Sequence, residues 1–310
     1  MAPIIIAVFS SKSYDKEFLS TALVERNKAR AGAVEAAPGL RAARRPPLEL
    51  VFHDFALNID TVPLARGATA VCVFVNDALN AAVLTALHAA GVRAVLLRCA
   101  GYNNVDLPAA ERLGLFVANV PSYAPEAVAE FSVALLQTLN RQTHRAYGGA
   151  AFVPTLDALL PQCDFVSLHC PLTPATRHIV NARTLALMKP GALLVNTSRG
   201  GLLDTRAVIA ALKSRRLGGV ALDVYESEGT LFYNDHSGDI IDDDELMRLM
   251  TFPNVIVCGH QAFFTEEALT EIATGTLRNL EDYLQNQQCP NSLVRAHHLF
   301  VRRDSYPVRT

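Results

Sequence analysis

"GALLVNTSRGGLLDTRAVIAALKSRRLGGVALDV", residues 191–224, contains a complete strand–helix–strand unit. "ALLVNTS" is an apolar run of strand length that ends in small polar residues. "DTRAVIAALKSRRLGG" places apolar residues at helical spacing behind Asp204, a residue of N-cap type, and Gly218 is read as its C-terminal cap. "VALDV" is a second short apolar strand. Two strands joined through a helix run parallel, because a tight hairpin cannot connect them.

The same alternation extends in both directions. Upstream, "PIIIAVF", "LELVFHD", "TAVCVFV", "RAVLLRC" and "DFVSLHC" read as strands, with "YDKEFLSTALVER" and "DALNAAVLTALHAAG" as helices, the latter ending at Gly91. "APEAVAEFSVALLQTLNRQTHRAY" (124–147) puts Val128, Phe131, Leu135 and Leu139 on one helical face. "NARTLALMKPG" reads as a helix that begins at Asn181 and is stopped by Pro190-Gly191. Downstream, "NVIVCG" is a strand and "TEEALTEIATGTLRNLEDYLQ" a long amphipathic helix. Strands alternating with helices predict an α/β chain with parallel sheets. Two stretches fall outside the pattern: 27–47, rich in Ala, Arg, Gly and Pro, reads as a disordered insertion, and the basic tail from Asn291 as a loosely held end.

At 310 residues the chain has room for two domains. A net charge of −2 gives no reason to expect nucleic acid or an anionic membrane as a partner. The apolar run near the start lacks a basic flank and membrane-spanning length, so it reads as a first strand. Six cysteines, well separated and without a C-x-x-C pair, suit reduced thiols in a cytoplasmic compartment and offer no zinc site. The carboxylates at 242–245 read as a solvated loop opening a helix, and His297-His298 as an exposed pair. Metal, P-loop and α/β-hydrolase motifs are absent.

Three polar clusters directly follow strands: "NTSRGG" (196–201), "DVYESEG" (223–229) and "GHQAFFT" (259–265). Ligands of open parallel sheets bind at the carboxyl ends of strands. Arg199 offers the planar fork that grips a carboxylate, which lysine cannot reproduce. His260 can pass a proton to or from an oxygen near neutral pH, and Glu228 within hydrogen-bond reach would favour the imidazolium. Taken together at successive strand ends, the three residues point to proton chemistry on an acid substrate.

"HCPLTPATRHIVN", "LMKPGALLVNTSRGGLLDT", "LGGVALDVYE" and "GHQAFFTEEAL" resemble the D-isomer-specific 2-hydroxyacid dehydrogenases. "YESEGTLFYNDHS" and "GHQAFFT" are most similar to the NAD-dependent D-lactate dehydrogenases within that family; "FVND", "RCAGYNNVD" and "NVPSYAPEAVAEFSVALL" also match. The resemblance implies two flavodoxin/Rossmann-like parallel-sheet domains: a substrate domain from 1–120 plus 265–310, and a dinucleotide-binding domain from 121–264. It implies NAD as cofactor and hydride transfer with a small 2-keto/2-hydroxy acid, pyruvate and D-lactate first among them. Arg199 matches the substrate-binding arginine, His260 the acid/base and Glu228 its carboxylate partner. Ala100 and Gly101 match the loop gripping the substrate carboxylate through backbone N–H groups, and Tyr123 matches a pocket tyrosine. Cys170, Pro171, Thr176, Thr197, Ser198, Arg199 and Asp223 match the nicotinamide and ribose lining. A homodimer is implied as well.

One junction departs from the family. "HRAYGGAAFVPTLDALL" (144–160) stands where the family places a strand, a G-x-G-x-x-G turn, a helix and a second strand. Only sixteen residues separate Tyr147 from Asp164, whereas a βαβ unit needs roughly 30. No G-x-G-x-x-G occurs anywhere in the chain. The cofactor domain is therefore expected to lack its first βαβ unit, to leave "DFVSLHC" as an exposed two-sided apolar edge, and to hold NADH poorly. An omitted coding segment in an ordinary dehydrogenase would produce this join. So would a non-catalytic relative kept for binding or corepressor-like regulation.

Overall fold

A computed structural model describes residues 3–36, 46–123, 125–139, 152–232, 236 and 238–294. The chain divides into two compact units, 1–123 with 265–310, and 124–264.

The β-branched and leucine-rich runs of the first unit become strands β1 (Ile4–Val8), β2 (Leu48–Phe52), β3 (Ala70–Val73), β4 (Ala94–Leu97) and β5 (Phe116–Ala118). They form one parallel sheet of order β2-β1-β3-β4-β5. Its helices are α1 (Ser13–Ala36), α2 (Ala81–Ala89), α3 (Leu107–Leu113) and α10 (Glu266–Leu284). Helix α10 is N-capped by Thr265, and its buried stripe of Leu269, Ile272, Ala273, Thr276, Leu277 and Leu280 repeats at helical spacing. That stripe packs against α1, β4 and β5. Strand β5 and helix α3 were not among the elements anticipated from sequence; a three-residue strand and a seven-residue helix are too short to show a period.

In the second unit α4 (Pro125–Leu139) is followed by the short α5 (Leu156–Leu159), then β6 (Phe165–Leu168), α6 (Ala182–Leu187), β7 (Ala192–Asn196), α7 (Thr205–Lys213), β8 (Leu217–Leu222), α8 (Glu228–Leu231), α9 (Asp244–Met250) and β9 (Val255–Val257). The sheet is parallel, with order β6-β7-β8-β9. Helix α4 lays Leu135, Phe131 and Leu139 over Val195, Ala221 and Ile256, and so covers one face of β7, β8 and β9. Val208, Leu212, Leu185 and Leu249 fill the other face.

Four expectations need correction. Residues 27–36 are not disordered: they continue α1, because the Ala, Lys and Arg of that stretch are good helix formers; residues 37–45 lie outside the described set. Gly218 does not cap α7, whose C-cap is Ser214. It sits in β8, where a Cβ would come within 2.2 Å of the Gly191 carbonyl oxygen. The tail is tied down as far as Val294, since Leu293 N–H donates to Val117 O at 2.9 Å and Asn291 Nδ2 to Asn279 Oδ1 at 2.9 Å. Residues 295–310, including His297-His298, lie outside the described set, as do 140–151 of the junction. Finally, β6 is an edge strand but not apolar on both faces. Val166 and Leu168 are buried, while Ser167 and His169 on the opposite face are exposed and joined by a 2.8 Å hydrogen bond. The residues at 242–245 do open a helix: Asp243 caps α9 and also accepts from the Tyr225 hydroxyl at 2.8 Å.

Candidate active site

The carboxyl ends of the second unit's four strands are laced together. Ser198 Oγ, after β7, donates to Cys170 O, after β6, at 2.7 Å. Asp223 N–H, after β8, donates to Asn196 O at 2.9 Å. From β9, Cys258 N–H reaches Leu222 O at 2.7 Å, and His260 N–H reaches Asp223 O at 2.8 Å. The loops following all four strands therefore form one hydrogen-bonded rim.

Along this rim Asn196 folds the chain back: it accepts from Ser198 N–H at 3.1 Å and donates to Arg199 O at 2.9 Å. The turn presents Arg199 half-buried, with Nη1 donating to Ser198 O at 2.6 Å. Gly200 next to it is obligatory, because a Cβ there would lie 2.0 Å from the Tyr225 carbonyl carbon. Thr197 Oγ1 meets Ser132 Oγ of α4 at 2.8 Å in a buried contact that pins the rim to the helix beneath. Thr176 Oγ1 donates to Pro171 O at 2.6 Å and closes the loop after β6.

Asp223 is fully buried and accepts from the N–H groups of Gln261 at 2.7 Å and Ala262 at 2.9 Å. Burial pushes its carboxyl above the ordinary aspartate range, and the two amide donors only partly offset that rise. His260 takes the left-handed backbone region at φ 55°, which is costly for a non-glycine residue and is held by these bonds on either side. Its Nδ1 lies 2.8 Å from Glu228 Oε1, with the two side chains 13% and 17% exposed. Glu228 Oε2 accepts from Tyr225 N–H at 2.8 Å, so both partners of the pair are oriented. The neighbouring Glu226 turns the other way, to Arg177 at 2.5 Å and His178 at 3.0 Å. Sequence reasoning missed Ser132, the Tyr225 amide and the Gln261–Ala262 amides. Backbone donors leave no signature in a sequence, and Ser132 looks like any serine in a helix.

Ala100, Gly101 and Tyr123 belong to the first unit, where all three are half-buried. The Ala100 carbonyl accepts from Asn119 Nδ2 at 2.7 Å and that of Gly101 from the Cys99 thiol at 3.2 Å. Below this loop is a buried polar network that the sequence did not reveal. Arg98 Nε donates to Asp15 at 2.9 Å and Nη2 to Ser10 O at 2.8 Å. Asp77 accepts from Ser10 Oγ at 2.7 Å and from the N–H groups of Leu57 and Phe74, both at 2.6 Å.

A parallel α/β unit carrying a histidine–carboxylate pair and an arginine on one rim has the makings of a dehydrogenase. The family model for the NAD binding domain of the D-isomer specific 2-hydroxyacid dehydrogenases matches residues 126–262. The chain is 53% identical to 2-hydroxyacid dehydrogenase A of Aspergillus oryzae, covering 98% of this chain and 99% of that protein. It is 50% identical to a D-lactate dehydrogenase of Curvularia clavata, covering 96% and 98%. The solved apo-structure of D-lactate dehydrogenase from Escherichia coli superposes with a TM-score of 0.74 at 37% identity, covering 94% of this chain and 100% of that one. The chain belongs to the D-isomer-specific 2-hydroxyacid dehydrogenase family, oxidoreductases whose cofactor is NAD. The Aspergillus alignment spans 361 positions against 310 residues here, so that relative carries residues with no counterpart in this chain.

NAD fits what is present only in part. The rim after β6, β7, β8 and β9 is intact, including the buried Asp223. On the far side of β6 no strand of this unit follows among the described residues, and the sequence has no glycine-rich turn to lead into a helix. Among the described residues, the pyrophosphate end of the site is not supplied.

Proposed function

We propose that the chain recognises a small 2-keto or 2-hydroxy acid, with pyruvate and D-lactate the pair to test first. The observation that carries this reading is the 2.8 Å His260–Glu228 contact on the same rim as Arg199. In this reading Arg199 grips the substrate carboxylate through its guanidinium fork. His260 Nδ1 is oriented by Glu228, and Nε2 is the ring atom that exchanges a proton with the keto or hydroxyl oxygen. Glu228 keeps the ring in that orientation. In the first unit the N–H groups of Ala100 and Gly101 are donors of the kind a carboxylate takes, and Tyr123 of the same unit is a further candidate substrate contact. Cys170, Pro171, Thr176, Thr197, Ser198 and Asp223 face the nicotinamide and its ribose. The names of the Curvularia and Escherichia coli relatives support lactate as the hydroxy acid.

Oxamate, the amide isostere of pyruvate, tests the reading without needing turnover. Titration calorimetry should give saturable binding that Arg199→Lys weakens about tenfold or more, since an ammonium cannot form two parallel bonds. Equal oxamate affinity in the wild type and the lysine variant would sink the assignment.

The incomplete nucleotide end favours a second reading, a relative that binds the acid without turning it over. Oxamate binding together with no consumption of NADH and pyruvate selects this reading. No helix among the described residues is long and apolar enough to cross a membrane. Six free cysteines support a reducing, cytoplasmic location, and a homodimer is the assembly to look for by sedimentation.

A further inference from the structure

The second sheet runs β6-β7-β8-β9 in chain order, without a reversal. A doubly wound sheet binds a dinucleotide where strand order reverses, with the pyrophosphate on the N-terminus of the helix that follows the first strand. Here β6, which would stand beside that central position, is the edge. The face opposite Val166 and Leu168 carries half-buried Phe165 with exposed Ser167 and His169, and α4 packs mainly on β7, β8 and β9. No two glycines of the chain stand two positions apart, so a G-x-G turn cannot form anywhere along it. From Leu139 at the end of α4 to Phe165 at the start of β6 the chain is too short to hold a further strand–helix–strand unit, because residues 155–162 are already spent on α5 and the turn behind it. The rim after the remaining strands, by contrast, is completely bonded, from Ser198 on Cys170 O to the two amides on Asp223.

We infer that this chain keeps the nicotinamide-ribose half of a dinucleotide site and has lost the adenosine-pyrophosphate half, so that it takes a nicotinamide mononucleotide as tightly as the full dinucleotide. The inference rests on the preceding assignment of the rim to the nicotinamide side. In a complete site the pyrophosphate meets charge-assisted N–H donors, each worth roughly tenfold in affinity. With that cradle gone, the adenosine diphosphate moiety contributes no donor contact and must still be ordered or left in solvent. Affinity is then set by the part of the ligand over Thr197, Ser198 and Asp223, which the two ligands share.

The 310-residue chain should be titrated with NADH, reduced nicotinamide mononucleotide, ADP-ribose and oxamate by calorimetry, alongside saturation-transfer NMR on each nucleotide. The expected result is that NADH and the reduced mononucleotide have dissociation constants within about threefold of each other. ADP-ribose should not compete, and saturation should reach the nicotinamide protons while sparing those of adenine. NADH binding about a hundredfold or more tighter than the mononucleotide, competition by ADP-ribose, or saturated adenine protons would each overturn the inference. Failure of both nicotinamide ligands while oxamate still binds would overturn it too and leave the keto-acid reading standing. If the mononucleotide binds and oxamate does not, the keto-acid reading alone fails.

Discussion

The two sheets of this molecule treat the ends of their strands in opposite ways. In the first unit the order β2-β1-β3-β4-β5 reverses between β1 and β3, the place where open sheets make a crevice. That place is closed by the chain itself: Ser10, Asp77 and Arg98 are each at most 5% exposed and bond to one another's surroundings. Among the described residues of the second unit the order does not reverse, yet the strand ends carry a histidine and a glutamate that remain 13% and 17% exposed. Titratable groups at a sheet's carboxyl edge become scaffold when every donor and acceptor is consumed internally. They become chemistry when they stay partly exposed at the rim, as His260 and Glu228 do. In the proposed reading the rim depends on loops after β6 to β9, and the nucleotide cradle on a strand beyond β6 that is not present among the described residues.

The strongest way to break the comparison is to give the second sheet its reversal. Inserting a strand–glycine turn–helix–strand segment at residues 148–151 should raise NADH affinity about a hundredfold by calorimetry, the worth of two charge-assisted hydrogen bonds. An unchanged affinity in a folded insertion variant would mean that the lost segment was not the nucleotide cradle. A smaller effect is expected where the rim touches itself. Gly200→Ala forces a Cβ into the Tyr225 backbone and should cost up to about 3 kcal/mol in urea unfolding, with the loss confined to the second unit. Near-neutral unfolding would show that the turn after β7 is looser than drawn.

The smallest effect concerns pH. Asp223 has its carboxyl raised by burial, so its contribution to stability is fully present below the ordinary aspartate range and fades as pH rises through the raised value. Asp223→Asn cannot ionise and should flatten that limb of the stability profile above the ordinary aspartate pKa of about 4. A profile parallel to that of the wild type would assign the slope to another group.

Much of this was legible before any coordinates. β7, α7 and β8 follow from strand-length apolar runs flanking a helical period, and Arg199, Glu228 and His260 from their places directly after strands. The shortness of the junction before β6 was legible as well, because chain length between two recognisable elements is a covalent limit. What escaped had short range or no side-chain signal. Strand β5 was too short to show a period, and the end of α1 ran through a composition that looked like a linker. The choice of Glu228 over Glu226 could not be made from spacing, since both follow the same strand; the fold of the loop sends one to His260 and the other to Arg177.

By itself, then, the order of residues determined the parallel strand–helix alternation, the proton-handling and acid-gripping residue types, and the missing nucleotide turn. Each of these is a matter of periodicity, residue chemistry or chain length, which are local properties. Only the tertiary structure decided that Ser167 and His169 are exposed beside Val166 and Leu168, that Asp223 rests on two distant amides, and that the His260 ring is held by Glu228. Those outcomes depend on which segments, far apart in the chain, finish within three ångströms of one another.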